Sequence, residues 1–209
     1  MELWRKKEPC IVIKKRDNSD SKRKMKKNLL EEINGYFMQL VYMKDLINVS
    51  EDVDKYEENF KSAPNFALVI SCALADSYML SLTKLYDKSD KAKTIPNLIE
   101  KCKKNIHLFP SNRDTLIQLN KFQEKISNDK VISHAIKTIR TRRDSILVHN
   151  DKKYFGKNFK NETFYLKMFH IWILRDFTEE VLNYLFSQLS SEETLKTKYN
   201  YDLYNLFKN

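Results

Sequence analysis

The hydrophobic positions of the chain recur every three to four residues over most of its length, which is the period of amphipathic helices. The first clear run extends from Leu29 to about Val49, with apolar residues at Leu30, Ile33, Phe37, Leu40, Val41 and Ile47. This run predicts one helix. Because serine often caps helices, Ser50 predicts the start of a second, acid-rich helix over Glu51–Phe60.

The most apolar segment of the chain is Asn65–Asp87. Its hydrophobic residues cover most of the circumference of the predicted helix, so we expect it to be the central and most enclosed helix of a bundle. Cys72 lies within this segment and is predicted to be a small core residue.

Further helices are indicated by capping residues and by the same period. Thr94 and Pro96 mark the start of a short helix, and Ser111 with Asp114 is similar to the capping box of another. The predicted ranges are about 94–104, 111–126, 129–148, 163–189 and 195–207. With 2 Gly and 4 Pro in 209 residues, the many turns of an all-β fold are hard to build. The sequence therefore predicts an all-α helical bundle with short peripheral helices.

Positive charge is concentrated at the beginning of the chain. The formal net charge is +10, and residues 1–28 carry eleven Lys and Arg against four Asp and Glu, or +7, which leaves 27 against 24, or +3, for residues 29–209. We therefore predict a basic N-terminal arm over residues 1–28, mobile or loosely docked, and a helical domain over residues 29–209. The arm is either simply solvated or contacts RNA, and the charge favours nucleic acid as the anionic partner.

Cysteine and histidine usage gives no metal or redox motif. Three cysteines are present, an odd number without paired-ligand spacing, which fits a reducing cytoplasm. The four histidines lie on different predicted elements, and the sequence has no glycine-rich phosphate loop. We therefore expect neither a metal nor a cofactor. The longest apolar run, Phe66–Ala75, is about half the length of a membrane span, so neither export nor membrane insertion is expected.

The candidate chemistry lies at the end of the helix predicted to begin at residue 129. Counted at about 100° per residue, Arg143 falls on an apolar stripe whose other members are Ile132, Ile136, Ile139 and Ile146. A guanidinium there needs an anion, a path to water or an interface, because an unpaired buried charge is costly. His149 follows at a spacing from which both side chains could reach one phosphate. The alternative is a surface cation followed by a helix C-terminal cap.

The segment over residues 150–162 follows this motif and alternates basic with aromatic residues. Cations hold phosphates, and aromatic rings stack on unpaired bases. The candidate RNA contacts are Arg140, Asn150, Lys152, Lys153 and Tyr154. The alternative is a loop that its aromatic residues fix to the core.

The sequence Arg143-Asp144, followed by His149-Asn150-Asp151 at a helix end, resembles the arginine, four to six residues, histidine motif of the HEPN superfamily. The upstream segments Leu80–Asp87 and Thr94–Leu98 are similar to its abortive-infection, AbiU-type branch. Together the similar segments span roughly residues 30–190.

The resemblance implies a helical bundle of HEPN type that acts as a metal-independent endoribonuclease, usually as a homodimer whose motifs meet in a cleft. It implies that Arg143 is the transition-state cation, Asp144 the polar residue that follows it and His149 the catalytic imidazole. It also implies phage defence or a toxin-like system, with an antitoxin or a defence-system partner. Some HEPN toxins carry a tyrosine two positions after the histidine, which a partner nucleotidyltransferase modifies. Asp151 stands there in this chain, so control by that route is not expected.

Two other functions fit the same sequence. One is a HEPN module without catalytic activity that binds RNA or a partner protein. The other is a structural helical adaptor that uses its aromatic last segment, residues 195–207, to bind a partner. For catalysis, one histidine per chain is too few to serve as separate acid and base, which favours two protomers.

Overall fold

The computed structural model describes residues 18–55, 61–144 and 168–190. Within these ranges the chain forms six α-helices and one short 3₁₀ turn, Ile106–Leu108, and no strand. The helices are α1 Asn18–Lys55, α2 Pro64–Leu85, α3 Ile95–Lys104, α4 Asn112–Asn128, α5 Lys130–Arg142 and α6 Met168–Leu189. The predicted all-α class is confirmed.

The core lies where α1, α2, α5 and α6 meet, and the short helices α3 and α4 pack at its side. About half of the buried core residues lie on α1 and α6, and α1 contacts both α2 and α6. Edge-to-face aromatic contacts join α4 to α6, with ring centroids of Phe122 and Phe177 6.1 Å apart. In this bundle the end of α2 lies against the end of α5, where the candidate site lies.

Helix α1 is longer than the sequence pattern predicted. It runs through Ser50 without a break, so the prediction that Ser50 caps a second helix is wrong. The apolar stripe continues from Ile47 to Val53, both of which are buried, and neither Gly nor Pro interrupts it. Residues 18–28, assigned to the basic arm, form the first turns of this helix. Residues 1–17 and 56–60 lie outside the described residues, and the division into arm and domain stays a prediction.

Helix α2 has nearly the predicted bounds but not the predicted enclosure. Its buried residues all lie in its last turns, between Tyr78 and Leu85. In its first half, Leu68 is 63% exposed and Val69 is 65% exposed. Cys72 is also exposed, so its assignment to the core is wrong. The hydrophobic pattern identified the helix correctly. It does not show which part of the helix is covered by neighbouring helices.

The predicted starts of the shorter helices are confirmed. The Thr94 hydroxyl accepts a hydrogen bond from the backbone N–H of Asn97 at 3.3 Å, as expected for the cap of α3. Helix α4 begins after Ser111, whose hydroxyl donates to the Asp114 carboxylate at 2.6 Å. The carboxylate of Asp129 caps α5 by accepting from the backbone N–H groups of its first turn. The caps of α3 and α5 satisfy donors that the start of a helix leaves without partners. At α4 the Ser111 side chain accepts no backbone hydrogen bond, so the helix starts where predicted but the predicted capping box is not formed.

The later part of the chain agrees with the prediction where it is described. Helix α6 ends at Leu189, as predicted. His134 is exposed on α5, and its ring lies 5.5 Å from the half-buried ring of His170 on α6. The predicted final segment, residues 195–207, lies outside the described residues.

Candidate functional site

Arg143 lies directly after the last residue of α5, and both Arg143 and the following Asp144 have π-helical backbone. Its Nε donates to Oδ1 of Asp144 at 2.7 Å. Its Nη1 lies 3.4 Å from Oδ2 of Asp87, which follows the end of α2. The side chain is 21% exposed, so the guanidinium stands at a rim rather than in the core. Of the three possibilities that the sequence left open, the structure shows an anion, namely a pair of carboxylates from the same chain.

Asp87 is an acceptor fixed by its own backbone surroundings. The backbone N–H of Lys88 donates to its Oδ1 at 2.6 Å. This bond, followed by the charge of Arg143, holds the pKa of Asp87 below its usual range. Conversely, the hydrogen bond to Asp144, with the two carboxylate charges, raises the pKa of Arg143. Both members of the pair are consequently ionised near neutral pH.

Arg140 connects the ends of the same two helices one turn earlier. Its Nε donates to the backbone carbonyl oxygen of Tyr86, the residue that ends α2. Partial burial lowers the pKa of Arg140, although an arginine keeps its charge at neutral pH. A cation at this carbonyl also complements the negative end of the α2 dipole.

Tyr86 fixes this junction from inside the protein. Its side chain is fully buried, and its hydroxyl lies 2.8 Å from the hydroxyl of Thr178 on α6. Burial raises the pKa of Tyr86, so the phenol stays neutral. The carbonyl that receives Arg140 is thus attached to a residue that α6 holds in place.

Asp87, Arg140, Arg143 and Asp144 line a cleft of about 450 Å³ between the end of α2 and α5. Ile126 and Ile136 contribute apolar wall, and Ser133 and Thr141 contribute hydroxyl groups. The charged residues of the lining are Lys88, Lys137, Arg140 and Arg143 against Asp87 and Asp144. Four cations face two carboxylates, a formal surplus of two positive charges. A cleft with that balance favours an anionic ligand, such as a phosphodiester.

The structure brings together three of the residues predicted from the sequence, Arg140, Arg143 and Asp144. His149, Asn150, Lys152, Lys153 and Tyr154 lie outside the described residues, and their roles stay predictions. On the Arg143 stripe, the isoleucines at 132, 136 and 139 are buried within the chain, so that part of the stripe is not open to a second protomer. Ile146 lies outside the described residues.

The sequence reasoning gave no role to Asp87, Lys88 or Lys137. One signal for Asp87 existed, because a nearby anion is one of the ways in which a cation on an apolar stripe is accommodated. The residue itself could not be chosen without knowing that α2 ends beside α5.

No group of three or more His, Cys, Asp and Glu side chains that could hold a metal ion occurs in the part of the chain that the structure describes. Of the helices in that part, only α2 is long and apolar enough to cross a membrane by length and composition, and its last turns are buried in the bundle.

The family model HEPN_AbiU2, described as AbiU2, matches residues 24–204. No curated protein and no solved structure matches the chain. The matched range contains the whole cleft and extends through the Arg143 to His149 motif.

Proposed function

Since the chain belongs to the AbiU2 family of HEPN proteins, we propose that it is a metal-independent endoribonuclease that cleaves RNA at the cleft between α2 and α5. The observation that carries this proposal is the position of Arg143. Its guanidinium lies at the rim of a cleft with a surplus of positive charge, six residues before His149.

The reaction needs little from the protein because RNA contains its own nucleophile. The ribose 2′-oxygen attacks the adjacent phosphorus, and the bond from phosphorus to the 5′-oxygen of the next nucleotide breaks. A base takes the 2′-hydroxyl proton, and an acid gives a proton to the departing 5′-oxygen. The products are a 2′,3′-cyclic phosphate and a 5′-hydroxyl.

Arg143 stabilises the negative charge that accumulates on the phosphorane oxygens, and Asp144 orients its guanidinium. His149 acts as base, and the equivalent histidine of a second copy acts as acid, so the active form is a homodimer. General acid or base assistance contributes about 10²- to 10⁴-fold to such reactions.

The neighbouring residues bind the RNA on either side of the broken bond. Arg140 contacts phosphate, and Lys152, Lys153 and Tyr154 with Asn150 hold unpaired nucleotides. We further propose that the protein acts in the cytoplasm in phage defence or a toxin-like system, under control of an antitoxin or another defence component.

The experiment compares two arginines in the same local setting. Arg175 on α6 donates from its Nε to the next residue, Asp176, at 2.8 Å, as Arg143 donates to Asp144. Purified protein is incubated with single-stranded RNA in EDTA, and cyclic-phosphate ends are measured. Arg143→Ala and His149→Ala should abolish cleavage, while Arg175→Ala should retain it. Absence of cleavage by the unaltered protein, or equal cleavage by His149→Ala, would refute the catalytic role.

A second function, RNA binding without cleavage, is favoured by one observation. The Arg143 guanidinium is already shared by two carboxylates of its own chain, which reduces its attraction for a transition-state charge. This alternative predicts salt-sensitive retention of RNA that never yields products and that weakens when Lys152 and Lys153 become Ala.

A further inference from the structure

The first half of α2 carries an exposed apolar stripe that the proposed ribonuclease function does not use. The stripe consists of Asn65, Leu68, Val69, Cys72, Ala73 and Asp76, all exposed. At about 100° per residue these positions fall within roughly 140° of one another, on a single face of the helix. Spacings of three and four residues are those of a surface that packs against another helix.

The two ends of this stripe have opposite electrostatic character. At its C-terminal end, Asp76 presents a carboxylate. At its N-terminal end, among the described residues, no side chain caps α2 at Ala63 and the first turn has no acid. The backbone N–H groups there carry partial positive charge and favour an anion. A second copy of α2 lying antiparallel would place each Asp76 beside the first turn of the other helix.

The side chains in the middle of the stripe suit such a pairing. Cys72 and Ala73 are small and let two helix backbones approach to about 8 Å, the near end of the usual range. Leu68 and Val69 would pack against the same stripe of the second helix. An exposed apolar helix face is unusual on a monomer and marks an interaction surface.

A membrane fits the stripe less well than a second helix does. Only the turns before Tyr78 lack fully buried side chains, because the buried residues of α2 begin there. Some fourteen residues rise about 21 Å, which is short of the roughly 30 Å hydrocarbon core.

We propose that the α2 stripe binds the same stripe of a second copy of this chain, antiparallel about a two-fold axis near residues 70 and 71. This proposal does not rest on the ribonuclease proposal. Asp87 lies about 25 Å along the helix from that axis, so the two clefts would be about 50 Å apart along the helix direction. The contact is therefore distinct from the one that would bring two copies of His149 together.

The test combines solution mass with cross-linking of the full chain. Leu68→Arg should lower the mass measured by light scattering at least about twofold at micromolar concentration, because it puts a charge in each half of the contact. The control is Ile117→Arg on α4, since Ile117 is also apolar and 46% exposed. It should leave the mass unchanged. Both variants should keep the helical circular dichroism of the unaltered protein.

Cross-linking locates the contact. In the antiparallel arrangement the two Cys72 residues lie on the order of 10 Å apart, within reach of a short bismaleimide. A Cys10→Ser variant, in which Cys72 is the exposed cysteine and Cys102 is buried, should give a cross-linked pair. The pair should disappear when Cys72 is also changed to Ser.

Equal masses for Leu68→Arg and the unaltered protein, or no Cys72-dependent pair, would overturn the proposal. So would flotation with anionic vesicles that Leu68→Arg abolishes without any change in mass, because that outcome assigns the stripe to a membrane. None of these measurements uses RNA, so failure here is distinguishable from failure of the ribonuclease assignment.

Discussion

Arg143 and Asp87 contact each other across the junction of α5 and α2, with 3.4 Å between Nη1 and Oδ2. The contact joins the two parts of the chain that carry the HEPN resemblance, the segment that ends at Asp87 and the motif that begins at Arg143. Because Lys88 and Asp144 fix the two partners locally, the ion pair sets both the position of the guanidinium and the charge that a ligand meets.

Asp87→Asn should separate binding from cleavage. The substitution removes one of the two carboxylates of the cleft. The affinity of the protein for single-stranded RNA should therefore rise about two- to fivefold at low salt. Cleavage under single-turnover conditions should fall about tenfold, because Arg143 loses one of the two groups that orient it. Filter binding and product analysis measure the two effects separately. Asp90→Asn, an exposed acid nearby in the chain, is the control, and a parallel change in both properties would contradict the prediction.

The cations of the cleft should contribute to RNA binding in a salt-dependent way. Replacing Lys88 or Lys137 by Ala should weaken binding and reduce the slope of log affinity against log salt by about one. Lys121→Ala, an exposed lysine of α4 outside this cleft, should leave the slope unchanged. Titrations at several salt concentrations provide the measurement. Equal slopes for all three variants would show that RNA binds elsewhere.

Arg143 shows how much of this site could be predicted from the sequence. Its periodicity placed it on an apolar stripe, and the cost of an unpaired charge left three possibilities: an anion, a path to water or an interface. The structure shows an anion. The identity of the anion depended on packing, because Asp87 is distant in the chain and reaches Arg143 only when α2 ends beside α5. Periodicity determines which residues share a face, but it does not determine which helix that face meets.

Two errors in the helical prediction have the same physical origin. Ser50 has the chemistry of a cap, but the buried stripe on either side of it continues, so tertiary packing outweighs the local signal. Cys72 lies in the most apolar segment and is nevertheless exposed. A hydrophobic side chain is stabilised by burial. Whether it is buried depends on the neighbouring residues that the fold, or a second copy, supplies.

Stability should depend on pH through Asp129, the cap of α5. Its pKa is lowered first by the backbone N–H of Ile132 and then by that of Val131. A folded-state pKa below the unfolded value gives stability that is present above the unfolded pKa, about 4, and is lost as pH falls through the folded pKa. Asp129→Ala should therefore lower the melting temperature at pH 7, and the difference from the unaltered protein should shrink below about pH 4. Thermal unfolding across that range, with Asp90→Ala as control, measures this; a difference independent of pH would contradict it.

Tyr86→Phe should destabilise the junction without changing its shape. The buried hydroxyl contact with Thr178 is lost, which should lower the free energy of unfolding by about 1 kcal/mol. Thr178 keeps its own bond to the carbonyl of Leu174 at 2.6 Å, so a larger penalty is not expected. Tyr42→Phe, at a tyrosine that is 57% exposed, should change stability by less than about 0.5 kcal/mol. Urea unfolding distinguishes the two variants, and equal stabilities would mean that the Thr178 contact is not stabilising.

Arg143→Lys tests whether the site needs a guanidinium or only a positive charge. The guanidinium contacts Asp144 through Nε and Asp87 through Nη1, and a single ammonium cannot reproduce that planar, forked geometry. Because the charge is kept, RNA affinity should stay within about threefold of the unaltered protein. Cleavage should fall at least about tenfold, since stabilisation of the phosphorane depends on donors held in position. Single-turnover rates measured with saturating RNA isolate this step from binding. A lysine variant that cleaves as fast as the unaltered protein would show that Arg143 acts only as a point charge, and the ion pair with Asp87 would then have no part in catalysis.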